Sequence, residues 1–117
     1  MLRKLKENEV DFELIVHNED IDVRGNAIAS DDDEFDKQIE DEIIDRLNRG
    51  DIWAWCCVEV KATFGRFSSS DYLGCCCYED EDDFISGGYY EDMKSQALDE
   101  LNNELQATYH ELKALNA

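Results

Sequence analysis

The cysteines stand in two adjacent runs. Cys56 and Cys57 follow Trp53 and Trp55, and Cys75, Cys76 and Cys77 lie between Tyr72 and Tyr78. Thiols can ligate a metal, form disulfides, exchange electrons or fill a core. Neighbouring residues of a strand point to opposite faces, so Cys56 and Cys57 cannot both ligate one ion, nor can all three of the second run. The C-x₂₋₄-C knuckle of structural zinc sites does not occur. Free cysteine behaves as a small buried hydrophobe. The five are therefore expected to be reduced, metal-free core residues. An odd cysteine count, with an N-terminus that lacks an apolar signal region, points to a reducing cytoplasm.

Other catalytic groups are sparse. His17 and His110 are far apart and neither pairs with a nucleophile motif. The run Ser68-Ser69-Ser70 lacks a G-x-S-x-G context. The acidic runs lack the spaced ligands and central glycine of a calcium loop. No catalytic residue, metal site or cofactor is expected, and the protein is not read as an enzyme.

The carboxylates carry the stronger signal. The chain has 30 acidic and 11 basic residues, a net −19. Residues 31–51 hold ten acids against three bases, and residues 79–92 hold seven acids and no base. Phosphates would be repelled, so direct nucleic-acid binding is excluded and a basic protein surface is the natural partner. Ten acids over 31–51 would span ~31 Å as a helix, near the 3.4 Å axial charge spacing of one DNA strand. Two such rows would imitate a phosphate backbone. The candidate partner-binding residues are Asp31, Asp32, Asp33, Glu34, Asp41, Asp45, Glu79, Asp80, Glu81, Asp82 and Asp83.

These groups must be positioned by the elements around them. Val10, Phe12, Leu14 and Val16 alternate with Asp11, Glu13, Ile15 and His17, which predicts a half-buried strand. A short second strand is expected at 21–24. Ser30 is the expected N-cap of an acidic helix, with Asp33 as its capping-box partner. Phe35, Ile39, Ile43 and Leu47 form its buried stripe, and Gly50 ends it at C′. Ile44 lies off that stripe, against a second element or exposed. Two strands follow, at about 52–64 and 71–79, joined by Gly65 to Ser70. Ile52, Ala54, Cys56, Val58, Val60, Ala62 and Phe64 share one face, joined by Leu73, Cys75 and Cys77. Residues 79–84 suggest one helical turn. Tyr90, Met93, Ala97, Leu101, Leu105 and Leu112 mark a helix over about 89–115, whose end is expected to project. The chain reads as one domain, residues 1–117, of α+β class. An antiparallel sheet of three or four strands is expected, with two main helices packed on one face. No run is long and apolar enough for a membrane span.

The stretches VRGNAIASDDDEFD, EDEIIDRLNRGDIWAWCCVEV and YLGCCCYEDEDDFISGGYYEDM, together covering about residues 22–98, resemble a type of small acidic protein encoded by bacteriophages and mobile elements. That type has no established catalytic motif, so the resemblance implies no catalytic residue. In size and acidity the chain is also similar to DNA-mimic anti-restriction and anti-CRISPR proteins. The resemblance implies a phage context and not a mechanism. The acidic surface sets the expectation of an inhibitor that occupies the basic nucleic-acid-binding surface of a bacterial defence complex, such as a CRISPR effector or restriction enzyme, in the host cytoplasm. The alternative is a structural or accessory phage protein that forms a homodimer through its C-terminal helix.

Overall fold

The computed structural model describes residues 1–116. Its strands are β1 (Asp11–Asn18), β2 (Cys56–Phe64) and β3 (Phe67–Cys76), and its helices are α1 (Asp33–Asn48), α2 (Glu81–Ser86) and α3 (Tyr89–Lys113). The strands make one antiparallel sheet in the order β1-β2-β3, an α+β architecture. Short 3-10 turns occupy Glu7–Glu9 and Ile52–Ala54. No helix among the described residues is long and apolar enough to cross a membrane.

The residues group into two compact units. The first comprises Met1–Ile15, Glu59–Tyr72 and the chain from Gly88 onward. Ala62, Ala97 and Leu101 are fully buried there, with Leu5, Val10, Phe12, Phe67 and Leu105 packed around them. The four-residue spacing of Met93, Ala97 and Leu101 makes the buried face of α3. Lys94 seals its margin: Nζ lies 4.9 Å from the Tyr90 ring centre and 5.6 Å from that of Phe12. The N-terminal segment is tied to α3 by one side-chain amide. Leu5 N donates to Asn102 Oδ1 at 2.9 Å, and Asn102 Nδ2 donates to Leu5 O at 3.2 Å. The amide thus stands in for a neighbouring strand.

The second unit comprises Val16–Val58 and Leu73–Gly87. Val23, Ile43, Ala54 and Trp55 form its core, flanked by Ala27, Ile39, Ile44 and Leu47. Trp55 satisfies its indole by donating from Nε1 to Ile21 O at 2.6 Å. Phe35, the expected first member of the stripe, is 46% exposed, while Ile44 packs on the core. The buried face of α1 is thus rotated away from Phe35. Glu40 lies on that face, only 8% exposed. Its Oε2 accepts from Gly25 N at 2.8 Å and its Oε1 from Arg24 Nη1 at 3.1 Å.

Several local expectations are corrected. Residues 21–24 form no strand, because the chain turns at 24–26, with Asn26 N and Ala27 N both donating to Val23 O. The N-cap of α1 is Asp32, whose Oδ1 accepts from Glu34 N and Phe35 N at 3.1 Å each. Asp33 is the first helical residue, and Ser30 instead donates from Oγ to Asp36 Oδ1. The cap thus falls to the Asp32 carboxylate, two residues nearer the helix than the Ser30 hydroxyl. The C-terminus of α1 is as expected. Gly50, at φ 85°, lets Gly50 N reach Leu47 O and Asp51 N reach Arg46 O.

β2 begins at Cys56, because Ile52–Ala54 coil into a 3-10 turn first. Cys56, Val58, Val60 and Ala62 are fully buried, whereas Phe64 is 44% exposed. The hairpin turn is Gly65-Arg66, and residues 67–70 already belong to β3. Gly65 has φ 58°, as primed hairpin turns require of their first position. The register therefore differs from one centred on residues 67–68. Glu59 Oε2 meets Ser70 Oγ at 2.5 Å and the Tyr72 hydroxyl at 3.2 Å.

Three acids sit below their ordinary range for stated reasons. Arg3 donates to Glu9 and brings it to about 2. The Cys75 N–H lowers Glu19, and Arg24 and then Lys37 lower Asp41. A carboxylate depressed in the folded state contributes stability above its unfolded value, about 3.9–4.3, and loses it as pH falls through the folded value. The urea midpoint should therefore drop below about pH 4. A midpoint that keeps rising as the pH falls towards 2 would mean that relief of the acidic self-repulsion outweighs these bonds.

Candidate binding surface

All eleven candidate acids fall in the second unit. That unit holds 18 acidic and four basic residues, a net −14, against −5 for the first. The acids of residues 31–51 and of 79–83, distant in sequence, therefore belong to one compact body, while Glu91 and Asp92 fall in the first unit.

Within it the carboxylates divide by what they bind. Asp32 caps α1, and Asp80 caps α2 by accepting from Asp83 N. Asp83 Oδ2 accepts from Glu79 N at 3.0 Å. Asp41 is paired twice, with Arg24 Nη2 and with Lys37 Nζ, the latter at 3.0 Å. The carboxylates of Asp31, Asp33, Glu34, Asp45, Glu79, Glu81 and Asp82 make no hydrogen bond or ion pair among the described residues. All seven residues are exposed. Asp41 is thus a structural acid, although sequence groups it with Glu34 and Asp45. Its partner Arg24 lies 17 positions away, a contact that helical periodicity cannot reveal.

On α1, Glu34, Asp41 and Asp45 share one side, and Glu42 joins them around a shallow open depression with Lys37 and Gln38. Glu42 was missed because it lies off the row chosen from sequence. Along the axis Glu34, Asp41 and Asp45 are separated by about 10.5 and 6 Å. Those are roughly three and two axial steps of one DNA strand. The density of one acid per ~3 Å expected from the count does not survive, because Glu40 faces the core and Asp36 turns back to Ser30.

Trp53, Tyr78 and Phe84 of this unit pack on one another. Trp53 meets Tyr78 edge to face at 6.4 Å, and also Phe84 at 5.6 Å. Tyr78 N donates to Trp53 O, and Arg46 Nη2 donates to Tyr78 O at 2.6 Å. Arg46 also holds Asp51 through Nε at 2.8 Å. No cysteine is in a disulfide, and no group of three or more candidate metal ligands occurs among the described residues.

Strand parity assigned the second cysteine run to the wrong faces. Cys76 is buried, while Cys75 and Cys77 are exposed. The cause is a kink. Cys75 has φ 55°, outside the extended region, and its N–H bonds Glu19 Oε1 at 2.5 Å. One residue out of alternation reverses the inward and outward positions around it. Hydrogen bonding to Cys76, together with burial, raises the Cys56 thiol. Desolvation raises Cys75, aided by the Glu19 charge, and raises Cys77 against the opposing effect of Arg46.

The chain matches no protein-family model, no curated protein and no solved structure.

The thiol geometry predicts an order of alkylation. Cys75 and Cys77 should react first with iodoacetamide in native protein, more slowly than an unperturbed thiol because both are raised. Cys56 and Cys76 should react only on unfolding. Peptide mass spectrometry reads the order, and early labelling of Cys56 or Cys76 would contradict the kinked register.

Proposed function

We propose that the protein works by binding, its acidic unit occupying a basic, nucleic-acid-binding surface of another protein. The observation that carries this reading is the concentration of −14 in one compact unit, with seven candidate carboxylates left exposed after the structural acids are accounted for. Such a surface attracts cationic grooves over about a Debye length and competes there with phosphates. The likeness to small acidic phage proteins directs the proposal to a bacterial defence complex, such as a CRISPR effector or a restriction enzyme, in the host cytoplasm. The spacing along α1 favours occupation of the groove by a negative surface over phosphate-by-phosphate imitation of one strand. The role is non-catalytic and needs no cofactor.

Capture of partners from nuclease-treated bacterial lysate tests this. Wild-type protein should retain nucleic-acid-binding proteins, and added duplex DNA or high salt should release them. The triple substitution Glu34→Gln, Asp45→Asn and Asp82→Asn should weaken capture by about tenfold or more, since each exposed charge contributes a fraction of a kcal/mol to about 1. A captured set indifferent to both DNA and the triple substitution would reject the proposal.

A further inference from the structure

We propose that Cys56 and Cys76 form a redox pair, which a peroxide closes to a disulfide between β2 and β3 and a dithiol reopens. The pair lies inside the acidic unit and takes no part in its exposed surface. Of the five cysteines only these two are buried, at 0% and 4% exposure. The two-residue turn Gly65-Arg66 sets Phe64 opposite Phe67 and Glu59 opposite Tyr72, in keeping with the bonds from Tyr72 and Ser70 to Glu59. Continued along the ladder, the same count sets Cys56 opposite Cys75. Cys75 is left-handed at φ 55°, as the first residue of one class of bulge is, so Cys76 takes the inward place beside Cys56. The two thiols are hydrogen-bonded to each other. Cross-strand neighbours hold their Cβ atoms about 4.5–5.5 Å apart, and a disulfide needs about 3.5–4.5 Å. Closure therefore asks for a small movement, at a point where the strand is already irregular.

The surroundings of the Cys76 sulfur make it the reactive member. It accepts hydrogen bonds from the Cys56 thiol and from Val58 N–H. In its thiol form it donates to Leu73 O at 3.3 Å. The Cys56 bond, helped by Val58 and opposed by burial, lowers the Cys76 thiol, whereas Cys56, Cys75 and Cys77 are all raised. The thiolate is the nucleophile, so Cys76 is the first of these four to react with an oxidant that can reach it. Its sulfur attacks one oxygen of the peroxide. The O–O bond breaks, hydroxide leaves and takes up the thiol proton, and Cys76 becomes a sulfenic acid. The Cys56 sulfur then attacks the Cys76 sulfur, the S–O bond breaks, and water leaves with the Cys56 proton. Two thiols are oxidised, and one hydrogen peroxide is reduced to two waters. A dithiol reverses the change by becoming a disulfide itself. Exposure decides where a bulky alkylating agent lands, which is on Cys75 and Cys77. A peroxide is little larger than water, and Cys76 stands at the end of β3 between those two exposed residues.

Treatment of native protein with hydrogen peroxide tests the pair. A variant carrying Cys57→Ser, Cys75→Ser and Cys77→Ser keeps only the two thiols in question. Its intact mass should fall by two hydrogens and be restored by dithiothreitol. Trypsin cuts after Arg49, Lys61, Arg66 and Lys94, so the oxidised variant should yield peptide 50–61 joined to peptide 67–94. Fragmentation of the same joined peptides from oxidised wild-type protein should place the bond at Cys56 and Cys76 without any substitution. Cys56→Ser should leave Cys76 as a sulfenic acid that dimedone traps. Oxidised wild-type protein should unfold at a higher urea concentration than reduced protein, because the bond closes the loop 57–75 in the unfolded chain. Native protein whose Cys56 and Cys76 stay reduced while Cys75 or Cys77 is oxidised would overturn the proposal. So would a disulfide between other cysteines, or a urea midpoint that fails to rise on oxidation.

Discussion

Carboxylates bound to backbone N–H groups hold the acidic unit together. The chain contains no proline, so its loops lack that means of restricting the backbone. Glu19 takes the N–H of Cys75 and of Asp20, and Glu40 takes that of Gly25. Asp32 and Asp80 take those at the starts of α1 and α2. A charged acceptor makes a stronger hydrogen bond than a neutral one, and anions at helix N-termini are favoured by the dipole. Negative charge that would otherwise drive the unit apart is turned into the bonds that fix its turns.

Cations are few and correspondingly placed. Arg24 joins the turn at 24–26 to Glu40 and Asp41 of α1. Arg46 joins the end of α1 to Asp51 and to the carbonyls of Tyr78 and Glu79. Each guanidinium serves two elements, as its forked donors allow. With those bonds made, the remaining acids need no partner to keep the fold. Such a residue is available to a basic surface at little cost in folding. In the first unit, by contrast, apolar packing around Ala62, Ala97 and Leu101 prevails and the surplus charge is small.

Periodicity revealed β1, the inward face of β2 and the buried residues of α3 because each reflects a strong, local alternation of apolar and polar side chains. The Gly50 cap was legible for the same reason, since few residues accept its conformation. What periodicity missed depends on contacts distant in sequence. Phe35 fits the α1 stripe but is exposed, while Glu40 breaks it and is buried, because Arg24 and Gly25 meet Glu40 from another segment. Cys76 points inward because Glu19, 56 positions from Cys75, steadies a left-handed residue within β3. Asp41 looked like a surface acid until Arg24 was placed beside it. The concentration of acid was readable from composition, but its division into structural and exposed carboxylates required the tertiary pairings.

That division is tested most directly by comparing urea unfolding of Glu40→Ala with that of the triple variant Glu34→Gln, Asp45→Asn and Asp82→Asn at low salt. Glu40→Ala leaves the Gly25 N–H without its acceptor and should lose about 1–3 kcal/mol. The triple variant removes three exposed negative charges, which relieves repulsion. Two of them, however, Glu34 and Asp82, lie in helix first turns where the dipole favours anions, so it should lose less stability than Glu40→Ala. A triple variant less stable than Glu40→Ala would contradict the division, because the exposed acids would then be holding the fold.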